Sequence, residues 1–391
     1  GVMIGSELIW GEREDVDGAT GDDLRIQMSL KVNFPREGGD YVQLQATIWR
    51  NAMLIARFSK VIAATTVAVL ASASTLAAGL TAEDYKRVVN EAYTKFKDVK
   101  EGANADYIPI LATVPSEMFG IALVTRDGEI YAAGEQKYAF SIQSVSKPFT
   151  ASLIMAEQGP KVLREKIGVE PTGLPFNSKI ALELYEDRSV NPLVNAGAIA
   201  AVSLVEANSE KERWKKVLGN IEDYAGRDLE VLEEVYDSEY ETAWSNRAIA
   251  NLLFNYGRLY SEPEEALRVY TRQCSIGINT RDLGIMGATL ANEGVNPITG
   301  KKVLDKEDVP ELLAIMATAG FYDESGEWMY RSGLPAKTGV GGGIVAVVPG
   351  QMAIVGFSPR VNEAGNSIRS MQAIQYISEK LNLSLFKSNK H

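Results

Sequence analysis

In Phe140-Ser141-Ile142-Gln143-Ser144-Val145-Ser146-Lys147-Pro148-Phe149, a β-prone run gives way to an apolar stretch that continues to Met155, with Ser144 and Lys147 at the changeover. A helix beginning here carries Ser144 and Lys147 on one face, because residues three apart are neighbours on a helix surface. The lysine then reaches the hydroxyl. Pro148 is acceptable within a first turn, which puts Ser144 near the helix N-terminus, where free N–H groups help a developing oxyanion. The Ser-x-x-Lys spacing is short, and by itself it describes a solvated helix face equally well.

A second short motif changes its weight. Lys337-Thr338-Gly339 is followed by Val340-Gly341-Gly342-Gly343 and then by an apolar strand. Ser-x-x-Lys with a later Lys-Thr-Gly on an edge strand resembles the serine β-lactamase and penicillin-binding architecture. A second cation near Lys147 is expected to depress its pKa, letting a neutral amine take the serine proton near pH 7. Glycines let backbone approach a substrate carbonyl, so the N–H groups of Ser144 and Val340 are the candidate oxyanion hole. A glycine-rich strand start and a phosphate-binding loop are the other readings. A Walker loop does not fit, because its lysine follows the glycines.

The rarest residues narrow the base. The 391 residues include one histidine, His391 at the last position, and one cysteine, Cys274. A Ser-His-Asp triad needs a better-placed imidazole. Zinc sites of His and Cys ligands and intramolecular disulfides are excluded by the same count, and no EF-hand-like acidic loop is visible. Carboxylate-only Mg or Ca sites survive the count, and a hydrolase built from this chain uses Lys, Tyr or a carboxylate as its base. A formal net charge of -11 argues against a nucleic-acid partner. The hydrophobic share of 46 % suffices for one large core or two modest ones. A small-molecule substrate is expected.

Three regions follow along the chain. Residues 1–52 carry Gly-rich acidic stretches without clear periodicity and read as a poorly ordered upstream extension. Residues 53–80 read as a signal peptide: Met53 precedes Arg57 and Lys60, and Val61 to Ala78 is uncharged and rich in small apolar residues. If Met53–Ala78 is a signal, the protein is periplasmic or secreted; otherwise it is cytoplasmic. Residues 81–391 read as one folded domain with no stable membrane insertion. Thr81-Ala82-Glu83-Asp84 has capping character ahead of helical spacing through Phe96. Ile121 to Thr125 and Glu129 to Ala133 flank Asp127-Gly128, a two-residue turn signal. Ile344 to Val348 and Met352 to Phe357 flank Pro349-Gly350-Gln351, and Ser367 to Leu381 has amphipathic spacing. The segments between the hairpins are helical in pattern. The fold class expected is α+β, an antiparallel sheet with strands from both ends of the domain, flanked by helices, with an inserted helical subdomain.

Longer motifs carry a family resemblance. Gln143-Ser144-Val145-Ser146-Lys147-Pro148, Asn191-Pro192-Leu193-Val194-Asn195-Ala196-Gly197-Ala198, the run Gly284 to Pro297 with Ile298-Thr299-Gly300, and Gly333-Leu334-Pro335-Ala336-Lys337-Thr338-Gly339-Val340 resemble the serine-dependent glutaminases in order and spacing, over about residues 85–386. The resemblance implies a β-lactamase-like fold, L-glutamine as substrate, no metal or organic cofactor, and a homodimer or homotetramer. It implies Ser144 as nucleophile and Lys147 as its base, with Tyr270 and Tyr322 as active-site phenols. It further implies substrate contacts from Tyr107, Gln143, Asn195, Glu239, Asn246 and Val340, and support from Lys337 and Gly339. A carboxylate such as Glu239 pairs with an α-ammonium group, and an amide such as Asn246 binds an α-carboxylate. Without the family, Glu239 reads as one more solvated charge in an acidic run, Asn191 as a turn-capping amide, and either tyrosine as a core aromatic. Cys274 reads as a small buried residue. Arg272-Gln273 and Trp244-Ser245 depart from the family pattern between motif positions. A β-lactam-directed enzyme shares both short motifs, but the chain contains no Ser-Asp-Asn; a ligand-sensing domain is disfavoured because no catalytic position is degraded.

Overall fold

The computed structural model describes residues 2–14, 20–35, 41–51, 80–186 and 189–387. The chain divides at Leu80 into two units. In the first, the backbone of Val2–Glu14, Thr20–Pro35 and Tyr41–Asn51 pairs as a three-stranded antiparallel sheet in sequence order. The signal-like segment Met53–Ala78 lies outside the described residues. Among the described residues no helix is long and apolar enough to cross a membrane.

The second unit is built on a five-stranded antiparallel sheet. Its order is Ile130–Gly134, Gly120–Thr125, Met352–Phe357, Gly343–Val348 and Ala336–Thr338, so strands from both ends of the domain meet at its centre, as the two hairpins implied. Both faces are buried, and the period of two sorts residues between them. Ile121, Leu123, Ile344, Ala346, Val348, Met352 and Ile354 pack with the helices Ala82–Phe96 and Ile368–Lys380. Val124, Val345, Val347, Ala353, Val355 and Phe357 face the larger core, which includes Thr280–Ala291 and the helical region between the hairpins. Thr280–Ala291 lies close on the sheet because of its glycines: a Cβ at Gly287 would meet Ala353 Cβ and Val345 Cγ2 at 2.6 Å.

The capped first helix is as expected. Thr81 accepts from Asp84 N–H, and the Asp84 carboxylate returns the bond to Thr81 N–H at 3.1 Å. One turn differs from its sequence reading. Thr125 accepts from Gly128 N–H and donates to Glu129 O, with Gly128 at φ +89°. The hairpin thus turns through 126–128 with Gly128 left-handed, a longer loop than a two-residue turn.

Candidate active site

The nucleophile candidate sits on a tight turn. Gln143–Ser146 is a 3-10 turn running straight into the helix Lys147–Gln158, with Pro148 in its first turn. Gln143 takes φ +48°, a conformation that residues with a Cβ rarely adopt. Ser144 is buried. The edge strand Ala336–Thr338 comes up against this turn because Gly339 has no side chain: a Cβ there would lie 2.9 Å from Val145 Cγ2 and 3.2 Å from Val145 N. The two short motifs therefore meet, as their pairing in sequence implied.

Lys147 is fully buried, and its Nζ donates to Asn195 Oδ1 at 2.7 Å. The serine hydroxyl contacts that of Tyr322. Burial lowers the Lys147 pKa to about 8, against the attraction of Cys274 and Glu239. Burial is the first cause of the depression at both amines, and their mutual repulsion acts in the same direction: the Lys337 pKa is driven well down by burial first and by Lys147 second. Lys337 Nζ donates to Thr338 O at 2.7 Å and Gly320 O at 3.1 Å and lies 4.5 Å from the Tyr322 ring centroid. It ties the edge strand to the segment carrying Tyr322.

Asn195 opens the helix Asn195–Leu204. The turn before it is tight enough that a Cβ at Gly197 would fall 1.7 Å from Asn191 O. Asn191 caps this turn, accepting from Leu193 N–H at 2.9 Å, which leaves Asn195 as the amide facing the lysine. Asn195 Oδ1 also accepts from the Tyr270 hydroxyl at 3.3 Å, and its Nδ2 donates to Asn246 Oδ1 at 2.8 Å. Tyr270 is buried, with Lys147 Nζ 5.9 Å from its ring centroid, and burial raises its pKa well above the ordinary phenol value.

Glu239 belongs inside. On the helix Glu233–Thr242 it shares a buried face with Val235, one turn earlier, and only 6 % of it is exposed. It accepts from Gln143 Nε2 at 2.9 Å. Burial raises its pKa to about 7, against the pull of Gln143 and Lys147. Tyr322 opens a 3-10 turn at φ +56°, its ring against Phe176 at 4.6 Å between centroids. Burial pushes its phenol up, while its contacts with Ser144 and the Val340 N–H act in the opposite sense. Tyr107 is 53 % exposed, yet its hydroxyl end lies near Tyr322 and Glu239, and desolvation raises its pKa well above the ordinary value. It stands at the mouth of the site. Cys274 is buried beside Tyr270, with its thiol pKa raised by desolvation, as its inert sequence reading requires.

The structure thus gathers Ser144, Lys147, Asn195, Glu239, Asn246, Tyr270, Tyr322, Val340, Gln143, Lys337 and Gly339 around one buried point. Chemically, the arrangement offers a hydroxyl, an amine neutral near pH 8, two phenols and a carboxylate with amides beside it. Sequence reasoning missed Thr150 and Gln273, whose side chains bond each other at 2.6 Å beneath the Ser144 turn. Gln273 follows Tyr270 by three positions on the helix Pro263–Cys274, and that spacing was the available signal.

A profile of the glutaminase family matches residues 102–386. The chain belongs to the glutaminase family. As a member it is an amidohydrolase of the β-lactamase-like fold. A glutaminase of Colwellia psychrerythraea is 52 % identical over 299 residues, covering 76 % of this chain and 96 % of that protein. Glutaminase 1 of Escherichia coli strain K12 is 48 % identical over 308 residues, covering 79 % and 99 %. The solved structure of the probable glutaminase ybaS aligns with a TM-score of 0.78 at 48 % identity, covering 79 % of this chain and 100 % of that one. Bacillus subtilis glutaminase YbgJ, in covalent complex with 5-oxo-L-norleucine formed from 6-diazo-5-oxo-L-norleucine, aligns with a TM-score of 0.69 at 31 % identity, covering 78 % and 99 %.

Proposed function

We propose that this glutaminase hydrolyses the side-chain amide of L-glutamine through an acyl-enzyme on Ser144. The observation that carries the reading is the convergence in one buried site of a serine on a helix-opening turn, a lysine with a pKa near 8 and a buried carboxylate. Lys147 donates to Asn195 Oδ1, so its neutral amine keeps a lone pair for the Ser144 proton. Ser144 Oγ attacks the amide carbon, and the N–H groups of Ser144 and Val340 hold the oxyanion. Collapse breaks the C–N bond, and ammonia leaves with a proton from Lys147 or from Tyr270 or Tyr322. Water then cleaves the γ-glutamyl ester to L-glutamate. Glu239 pairs with the α-ammonium group and Asn246 with the α-carboxylate, with Asn195, Gln143 and Tyr107 completing the contacts. Lys337 and Gly339 hold the edge strand against the nucleophile.

The test measures ammonia from L-glutamine and ring opening of a chromogenic β-lactam, with Ser144→Ala as control. The reading requires Ser144-dependent ammonia, lost by about 10⁴-fold or more in the variant. Ring opening without ammonia overturns it. The same reading includes a catalytic domain over 81–391 and a homo-oligomer of two or four chains, checked by light scattering on the purified protein. It also includes export directed by Met53–Ala78, checked by N-terminal sequencing of the protein recovered from its host.

A further inference from the structure

We propose that Gln273 is a positioning residue for the reaction, acting through Ser146 to fix the peptide plane that carries the Ser144 N–H. The inference rests on the acyl-enzyme reading above. Gln143 C=O and Ser144 N–H belong to one trans peptide unit, so whatever fixes the carbonyl aims the N–H the opposite way. The carbonyl is fixed by Ser146, whose hydroxyl donates to Gln143 O at 2.6 Å. Gln273 Nε2 in turn donates to Ser146 Oγ at 2.9 Å, and Thr150 Oγ1 donates to Gln273 Oε1 at 2.6 Å.

The direction of this relay follows from its end. A carbonyl only accepts, so Ser146 must donate to it and is free to accept; the group facing Ser146 must then be the amide NH₂ of Gln273, and Thr150 must donate to the amide oxygen. Each rotor is thereby set by the next. All three side chains are buried, Gln273 and Ser146 completely, where an unpaired polar group is costly and an apolar residue would pack without that cost. A serine bonding the carbonyl three residues back is common, and Ser152 does it to Phe149 O at 2.7 Å. What sets Ser146 apart is the side-chain amide that a second helix donates to its hydroxyl. Pro263–Cys274 supplies both Tyr270 and Gln273, so one element places an active-site phenol and locks the turn at Gln143, which is held at φ +48°.

The experiment compares kcat and KM for L-glutamine in Gln273→Leu, Ser146→Ala, their double variant, Gln273→Glu and the control Ser152→Ala. Deleting an oxyanion donor outright costs about 10²–10³ in kcat, so a donor merely released from its orientation is expected to cost about tenfold. Both single variants are expected to lose about that much kcat with KM within about twofold, and the double variant to be no worse than either, since both cut one relay. Ser152→Ala keeps its kcat. In Gln273→Glu the protonated carboxyl can donate to Ser146 while accepting from Thr150, but the ionised form cannot donate. Its kcat relative to the unaltered protein is therefore expected to fall as pH rises, a signature that packing alone does not produce. Full kcat in Ser146→Ala, multiplying losses in the double variant, or a pH-independent ratio in Gln273→Glu overturns the proposal. If Gln273→Leu fails to fold, Ser146→Ala and Gln273→Glu decide. Ser144→Ala is assayed alongside: activity surviving there removes the acyl-enzyme reading, whereas an inactive Ser144→Ala with a full-rate Ser146→Ala removes only the role of the relay.

Discussion

Two side chains of the site ionise near neutral pH because they are buried: Lys147 with its pKa lowered to about 8, and Glu239 with its pKa raised to about 7. The proposed mechanism needs Lys147 neutral, and the neutral fraction grows as pH rises through its pKa, so kcat is expected to rise through about pH 8. The proposed pairing of Glu239 with the substrate ammonium needs the carboxyl ionised, so KM is expected to fall as pH rises through about 7. A pH profile recording kcat and kcat/KM separately checks both signs. Glu239→Gln keeps the shape and removes the charge. A hydrogen bond to a charged group contributes about 1.5–3 kcal/mol, so KM should rise by roughly 10–100-fold, with a smaller effect on kcat, as steady-state kinetics will show. At this scale the sequence was only partly legible. Ser144 and Lys147 announce themselves by spacing, and Asn195 by its motif. Glu239 hides among Glu233, Glu234, Asp237 and Glu241, and only its position one turn after Val235 marks its inward face. The burial behind the Lys147 shift was not legible, because desolvation is a property of packing that spacing does not display.

Elements were easier to read than contacts between them. Both hairpins, the capped first helix and the last helix follow from turn residues, capping residues and periodicity, each a local signal. The extra turn length at 126–128 was not legible, since Asp-Gly suits both a two-residue turn and a left-handed glycine after a longer one. The glycines of Thr280–Ala291 belong here too. Gly287→Ala gains helix propensity but drives its Cβ against Ala353 and Val345, so we expect a net loss of about 1–3 kcal/mol of stability, read as a lower midpoint in urea with little change in slope. Gln273 was missed for a related reason. Its partners Ser146 and Thr150 are distant in sequence, and an amide between two motif positions shows no function until the helices are packed.

For the whole molecule, the sheet explains why the two short motifs are so far apart in sequence and adjacent in space. The strand carrying Lys337 pairs with the C-terminal hairpin, that hairpin with the first one, and the helical region returns Ser144 to the sheet edge. The pairing of motifs made this fold legible; in the first unit the strand signal went unread, although Leu24, Ile26, Met28, Leu30, Val32 and Phe34 alternate with polar residues along Thr20–Pro35, as do Val42, Leu44, Ala46 and Ile48 along Tyr41–Asn51. Every site residue lies in the second unit. A protein beginning at Leu80 is therefore expected to keep kcat and KM for L-glutamine within about twofold of the full chain, measured by ammonia release. The account stands most directly on the covalent role of Ser144. Reaction with 6-diazo-5-oxo-L-norleucine followed by peptide mapping in a mass spectrometer tests it: a single adduct on Ser144, growing in step with loss of activity and absent from Ser144→Ala, is the predicted result, and an adduct on another side chain, or equal labelling of Ser144→Ala, would contradict it.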